Sequence, residues 1–305
     1  MSSDLYLKKL TVHDKDILAP YLLSNKYDIC DFSFSNIFMW RHTYLADYAI
    51  YKDFLVILTS DFYGRRHFFM PLDIGDTSGT GDLASVVRDL VAWSHEQRQD
   101  FRMLGVTEQM TEVLAFLGAD FTVSPAEVWD YIYNAEDLIK LKGKKFHGKR
   151  NHINKFDSLY DYEFTALEPA HVPLCLELLD VWVSENDPSP SIAAEDLAIR
   201  EALDHFTQMG LMGGCLFIDG KLGGFTLGQP LNDEMFVIHV EKALYGYEGI
   251  YSKINQCFAA RNCAEYKYIN REEDMGIEGL RKSKMSYNPV RLLKKSVGIL
   301  PYGQK

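Results

Sequence analysis

Residues 234–270 read EMFVIHVEKALYGYEGIYSKINQCFAARNCAEYKYIN. EMFVIHVEK (234–242) is apolar and β-branched enough to be a strand. Ile250, Ile254 and Phe258, with Cys257 beside them, mark the apolar stripe of a helix over about 249–262, and YKYIN (266–270) predicts a further strand. A strand, a helix and a strand in that order make a crossover whose two strands are parallel and whose hand is right. The stretch therefore predicts an α/β protein.

Working outward, GGCLFIDGKLGGFTLGQP (213–230) carries Asp219-Gly220 between two short apolar runs, the signature of a tight β-hairpin. Before it, Val172, Cys175, Leu176, Leu179 and Trp182 recur at helical spacing, as do Ile199, Ala202, Leu203 and Phe206. After it, a last helix is expected over 276–285. The first half also mixes helix and strand. Strands are expected at 49–60, 66–72, 101–106 and 127–133, a helix or loop at 31–40 and a short helix at 108–117. Leu83, Val86, Val87, Leu90 and Val91 predict an amphipathic helix with Asp82 as its N-cap. The expected class is α/β with α+β character, mixed sheets flanked by helices.

A compositional seam follows Asn134. Residues 140–155 hold seven Lys or Arg and no acid, and 281–295 hold six more and again none. We place the domain boundary there, giving halves 1–135 and 136–305. The chain of 305 residues carries a net charge of -11, which disfavours a protein that coats nucleic acid or anionic lipid with its whole surface, while the basic segments leave room for a local polyanion site such as one for tRNA or a coenzyme. The alternative for those segments is a solvated basic face. Five cysteines without a CxxC spacing suggest neither a zinc knuckle nor a disulfide framework. No apolar stretch is long enough to be a signal or a span, so a cytoplasmic protein is expected, with no transmembrane segment.

Ligands of open sheets bind beyond the carboxyl ends of parallel strands. Here those ends are Glu241-Lys242 and Asn270-Arg271. Simple alternation along the first strand puts Val237, His239 and Glu241 on one face, so that an imidazole and a carboxylate lie side by side as candidate proton acceptors, or else form a hydrogen-bonded buried pair. Gly246 and Gly249, just before a helix N-terminus, would let backbone N–H groups approach an anion; the alternative is a plain turn. Ile277, Arg281 and Lys284 share a helix face, as do Phe146, Arg150 and Ile153. Cations so placed need an anionic partner, either Glu272, Glu273 or Asp274, or a bound carboxylate or phosphate. No P-loop, HExxH or GxSxG motif occurs, and Gly79-Thr80-Gly81 reads as a loop.

The segments KKFHGKRNHINKF (144–156), HVEKALYGYEGIYSKINQCF (239–258) and NREEDMGIEGLRKSKMSYNP (270–289) resemble the soluble bacterial proteins that share the carboxyl-terminal domain of phosphatidylglycerol lysyltransferases. The resemblance extends over most of the chain. It implies tandem GNAT-like acyltransferase folds, similar also to the Fem aminoacyltransferases, with the chemistry in the second copy. On that expectation an amine or hydroxyl attacks an activated acyl group. Glu241 or His239 removes the proton, amides near Gly246 and Gly249 hold the oxyanion, and Arg150, Arg281 and Lys284 hold an anionic donor or acceptor. No tightly bound cofactor is expected. The donor is aminoacyl-tRNA or acyl-CoA, with tRNA favoured because Lys242 is followed by glycines at the wrong spacing for the CoA motif of GNAT enzymes. The acceptor is a small molecule or a lipid headgroup. The other class that fits is a non-catalytic module binding an anionic metabolite or a protein partner.

Overall fold

The computed structural model describes residues 5–24, 27–61, 63–74 and 80–303, without the side chains of 80–82. It divides into two units, one of 1–129 with 293–305 and the other of 130–292.

In the first unit, strands β1 (Lys8–Lys9), β2 (Asp47–Tyr51), β3 (Phe54–Ser60), β4 (Arg66–Phe68), β5 (Phe101–Val106), β6 (Asp120–Val123) and, from the far end of the chain, β14 (Ser296–Leu300) form a sheet in the order β1-β2-β3-β4-β5-β14-β6. Its helices are α1 (Lys15–Leu23), α2 (Phe34–Met39), α3 (Arg41–Tyr44), α4 (Thr80–Glu96) and α5 (Glu108–Val113). In α4, Val86, Val87 and Leu90 are fully buried, as their spacing requires. That helix opens at Thr80, so Asp82 lies in its first turn and not at its cap. Gly79 lies outside the described residues. The boundary expected at 135/136 differs from the observed division in two ways. The break falls at Trp129/Asp130, and the carboxyl-terminal segment returns to the first unit, where β14 pairs antiparallel with both β5 and β6.

The second unit runs β7 (Asp130–Asn134), α6 (Ala135–Lys140), α7 (His147–Leu159), β8 (Tyr162–Ala166), α8 (Val172–Ser184), α9 (Pro190–Asp204), α10 (Phe206–Met209), β9 (Met212–Ile218), β10 (Lys221–Pro230), β11 (Met235–Ala243), α11 (Ile250–Asn262), β12 (Tyr268–Asn270), α12 (Glu278–Met285) and β13 (Arg291–Leu293). Its sheet has the order β13-β7-β12-β11-β10-β9-β8. Asp219 and Gly220 both take positive φ, as a two-residue hairpin between β9 and β10 demands. The crossover is as expected: β11 and β12 are parallel, with α11 between them.

On one face of the sheet α11 packs beside α6 and α7, and its Ile254 and Phe258 are completely buried with Phe146, Ile153, Phe236 and Leu216 in two adjoining apolar clusters. Burial of each such side chain contributes about 1.5–3 kcal/mol before the entropy cost of ordering it. On the other face α8 lies against β10 and β11 and brings Trp182 over Lys242.

The pairing of β10 with β11 slips once. Leu227 faces Val240 while Gly228 faces Ile238, so His239 is an extra residue, a β-bulge. A side chain at Gly228 would meet the Val237 carbonyl oxygen at 2.4 Å, so glycine is what permits the close approach there. The bulge reverses the alternation beyond it. Glu241 therefore faces α11, with Phe236 and Ile238, and not the side expected from simple alternation with Val237.

Candidate active site

The last paired residues of the parallel strands are Val237 and Asn270. Beyond them β11 stays with β10, while the chain after Asn270 stays with β7: the Arg271 N–H donates to the Tyr131 carbonyl at 3.0 Å, and the Tyr131 N–H donates to the Glu272 carbonyl at 3.2 Å. The strands part because each follows a different neighbour. Two side-chain pairs span the fork. Glu241 accepts from the Arg271 guanidinium, and the Glu272 carboxylate lies 2.7 Å from Nδ1 of His239.

Arg271 is the centre of the α11 side of this fork. Its side chain is nine-tenths buried, and one terminal nitrogen is taken by Glu241; Nε and Nη1 make no well-formed hydrogen bond among the described residues, the nearby Tyr287 hydroxyl interacting with the guanidinium only weakly. Asn255 of α11 donates to the other Glu241 oxygen at 3.0 Å, and its own Oδ1 is again unpartnered, as is Oγ1 of Thr226 directly across from Glu241. The guanidinium lies 4.9 Å from the centroid of the Tyr287 ring, and Nζ of Lys149, on α7, lies 3.9 Å from the same centroid. Burial, reinforced by the charge of Arg271 and opposed by Glu241, lowers the Lys149 amine to about 8. The group thus holds two cationic side chains against one carboxylate, with buried N–H donors still unused. Such donors cost stability unless something accepts from them.

The residues expected from the sequence take different parts. Glu241 and His239 do sit at the fork, each already hydrogen-bonded, so Glu241 is a holder of Arg271 and not a carboxylate standing alone. Lys284 is engaged internally: its buried ammonium donates to the carbonyls of Arg271 and Glu273 at 2.5 Å and of Glu272 at 3.3 Å, clamping the turn that follows β12. Arg281 is taken by a two-pronged pair with fully buried Asp274, both contacts 2.9 Å, to which Tyr131 also donates at 2.7 Å. Arg150 does turn inward, but toward the carbonyls of Leu141 and Gly143, closing the end of α6. At Gly249, φ is +85° and a Cβ would meet the His152 carbonyl oxygen at 2.4 Å, so this glycine serves the packing of α11 on α7. Gly246 faces open space. The N–H groups of Ile250 and Ser252 donate to the Tyr247 and Gly249 carbonyls, which removes donors from an anion site at the start of α11.

Arg271 and Lys149 are what sequence reasoning missed. Arg271 stood in plain view at the end of a parallel strand, where ligands bind. Lys149 was one of seven basic residues in its segment, and nothing local marks the one that packs against Tyr287. An open groove of about 840 Å³ also lies in this unit, lined by Glu163, Thr165, Glu168, His171, Asp219 and Arg261 among others. It follows the β8 edge, three strand spacings or roughly 14 Å from β11, and shares no residue with the fork.

None of the five cysteines is in a disulfide, and among the described residues no helix is long and apolar enough to cross a membrane. Compared with known proteins, residues 25–297 match the family described as phosphatidylglycerol lysyltransferase, C-terminal. A conserved protein of unknown function from Bacteroides thetaiotaomicron is 40% identical, with 96% of this chain and 99% of that one covered and a TM-score of 0.89. L-PGS from Bacillus licheniformis is 12% identical over 85% of each chain, with a TM-score of 0.62. FemX is 8% identical over 97% of this chain and 98% of that one, also at 0.62. These last two likenesses show that the chain shares its fold with L-PGS and FemX. An uncharacterized protein of Mycoplasmoides gallisepticum is 26% identical over 173 residues, and the chain spans about half the length of that curated relative.

Proposed function

The chain belongs to the phosphatidylglycerol lysyltransferase C-terminal family, and from that premise we propose that it transfers an activated acyl group, from aminoacyl-tRNA in preference to acyl-CoA, to an amine or hydroxyl acceptor at the fork between β11 and β12. The observation that carries this reading is Arg271, buried with two unused donors beside a lysine whose amine is lowered to about 8.

In the reaction, the acceptor nitrogen or oxygen attacks the carbonyl carbon of the donor ester, and the carbonyl oxygen takes up negative charge. Nε and Nη1 of Arg271 stabilise that charge beside the rings of Tyr133 and Tyr287. Lys149, neutral in a good fraction of molecules near its pKa, takes the proton from the acceptor and returns it to the leaving hydroxyl as the ester bond breaks. Glu241 fixes the guanidinium, Asn255 fixes Glu241, and Lys284 fixes the backbone from which Arg271 projects. Of the N–H groups at the start of α11, those of Ile250 and Ser252 are engaged by the Tyr247 and Gly249 carbonyls, which leaves fewer donors for a coenzyme pyrophosphate and supports tRNA as donor over CoA. Charged tRNA places the reaction in the cytoplasm, and the acceptor is a small molecule or a lipid headgroup.

The test is product mass spectrometry after incubation with charged-tRNA pools and, separately, acyl-CoA pools, with cell extract as acceptor. Wild-type protein should yield a tRNA-dependent aminoacylated product, and Arg271→Lys should lower its rate at least 100-fold with tRNA binding retained. A protein that binds a donor but turns over none, wild type and variant alike, is the non-catalytic module.

A further inference from the structure

In the first unit, Nζ of Lys295 lies 3.6 Å from Sγ of Cys30 and 2.7 Å from a carboxylate oxygen of Asp31. Cys30 is 1% exposed and Lys295 5%. Amine and thiol are thus in contact in a site closed to bulk water, with an acid positioned on the amine. Cys30 opens the short turn Cys30–Phe32, and Lys295 immediately precedes β14, whose next residue, Ser296, pairs with both Val106 and Val123. Both backbones are held by their own elements, so the contact is imposed by the fold and not by a chance meeting of two long side chains.

We propose that Lys295 and Cys30 are a covalent modification site, forming an N–O–S bridge with dioxygen. In the balanced step, the Lys295 ammonium, the Cys30 thiol and one dioxygen give Lys–NH–O–S–Cys, one water and one proton. An N–O bond, an O–S bond and the two O–H bonds of water form; two N–H bonds, the S–H bond and the O–O bond break, and the third hydrogen leaves as the proton. Nitrogen and sulfur each lose two electrons, and the dioxygen takes all four, one oxygen becoming the bridge and the other the water. Asp31 receives the proton shed by the ammonium and passes it to solvent. Neither large molecules nor a second cysteine is required, which suits a pair that only a small gas molecule can reach. The bridge ties residue 30 to residue 295 and so closes nearly the whole chain into a loop, restricting the unfolded state far more than the folded one.

Intact mass spectrometry of the full chain, prepared under air and under nitrogen with reductant, reads this directly. The aerobic protein should be heavier by one oxygen less two hydrogens, the increment should disappear with dithiothreitol, and digestion should give a single linked pair of peptides containing Cys30 and Lys295. The oxidised form should also melt at a higher temperature than the reduced one. Lys295→Arg, which keeps the ion pair with Asp31, should abolish the increment. No increment in aerobic wild-type protein, a gain of whole oxygens only, as in sulfenic or sulfinic acid, or the same increment in Lys295→Arg would each overturn the proposal.

Discussion

Glu241 and Arg271 meet across the gap where two parallel strands part, and the carboxylate takes one guanidinium nitrogen while the two others make no well-formed hydrogen bond among the described residues. The β-bulge at His239 makes the meeting possible, because it turns Glu241 toward α11.

Glu241→Gln removes the carboxylate that, among the described residues, is paired with the nine-tenths-buried Arg271 guanidinium, and leaving such a charge uncompensated should destabilise the protein by about 3 kcal/mol. Urea unfolding would show this as a lower midpoint at unchanged slope. Glu241→Gln combined with Arg271→Met should cost clearly less than the two single changes added. Strict additivity would contradict the pairing.

Lys149 titrates at about 8 in the folded chain against 10.5 when unperturbed. If its neutral amine takes the acceptor's proton, kcat/KM rises with pH and levels off above about 8, and Lys149→Arg loses that limb. The sign for stability follows from the same shift. Between about 8 and 10.5 the unfolded chain holds the proton and the folded chain does not, so the contribution of this group to stability rises with pH through that window. Lys149→Met should flatten the rise in midpoint measured by denaturant titration from pH 7.5 to 10 (about the span of the shift). A pH profile identical in wild type and Lys149→Arg would remove the lysine from the reaction.

The two glycines before α11 should behave oppositely. Gly249→Ala puts a methyl group 2.4 Å from the His152 carbonyl oxygen at a left-handed φ, which should cost more than about 2 kcal/mol. Gly246→Ala meets nothing and should stay within about 0.5 kcal/mol of wild type. Thermal melts of the pair decide between a packing role and an anion-binding role. Equal stability with equal loss of turnover would favour anion binding.

Lys284→Met removes the ammonium that donates to three carbonyl oxygens of the turn after β12, of which Glu272 keeps the Tyr131 N–H, at a cost of about 2–3 kcal/mol. Because the turn carries Arg271, turnover should fall as well. Arg281→Ala should act through Asp274, a fully buried carboxylate, and lower stability with little effect on the KM for the donor. A rise in donor KM with unchanged stability would restore Arg281 as a substrate ligand.

Much of the second unit was legible because the signals are local. The helix expected at about 249–262 is observed at Ile250–Asn262, the strand at 234–242 is Met235–Ala243, and the hairpin turns at Asp219-Gly220. Apolar spacing over a dozen residues reports which side of an element is buried, and a DG pair reports positive φ. Less was legible at β8, a short strand at the sheet edge, and at β14, whose partners are 173 or more residues earlier. The candidate site was half legible. Alternation and strand ends bring Glu241 and His239 to the fork, whereas the cations Arg281, Lys284 and Arg150, expected to need an anionic acceptor, meet acceptors within the chain.

By itself, the sequence determined the kinds of element, their order and the parallel crossover, since these depend on periodicity and turn chemistry within each segment. Tertiary structure alone decided which way Glu241 points, which lysine lies against Tyr287, and that Arg271 keeps unused donors. The physical reason is that one slipped residue between neighbouring strands exchanges the faces of everything beyond it, and that slip is a property of two strands in contact.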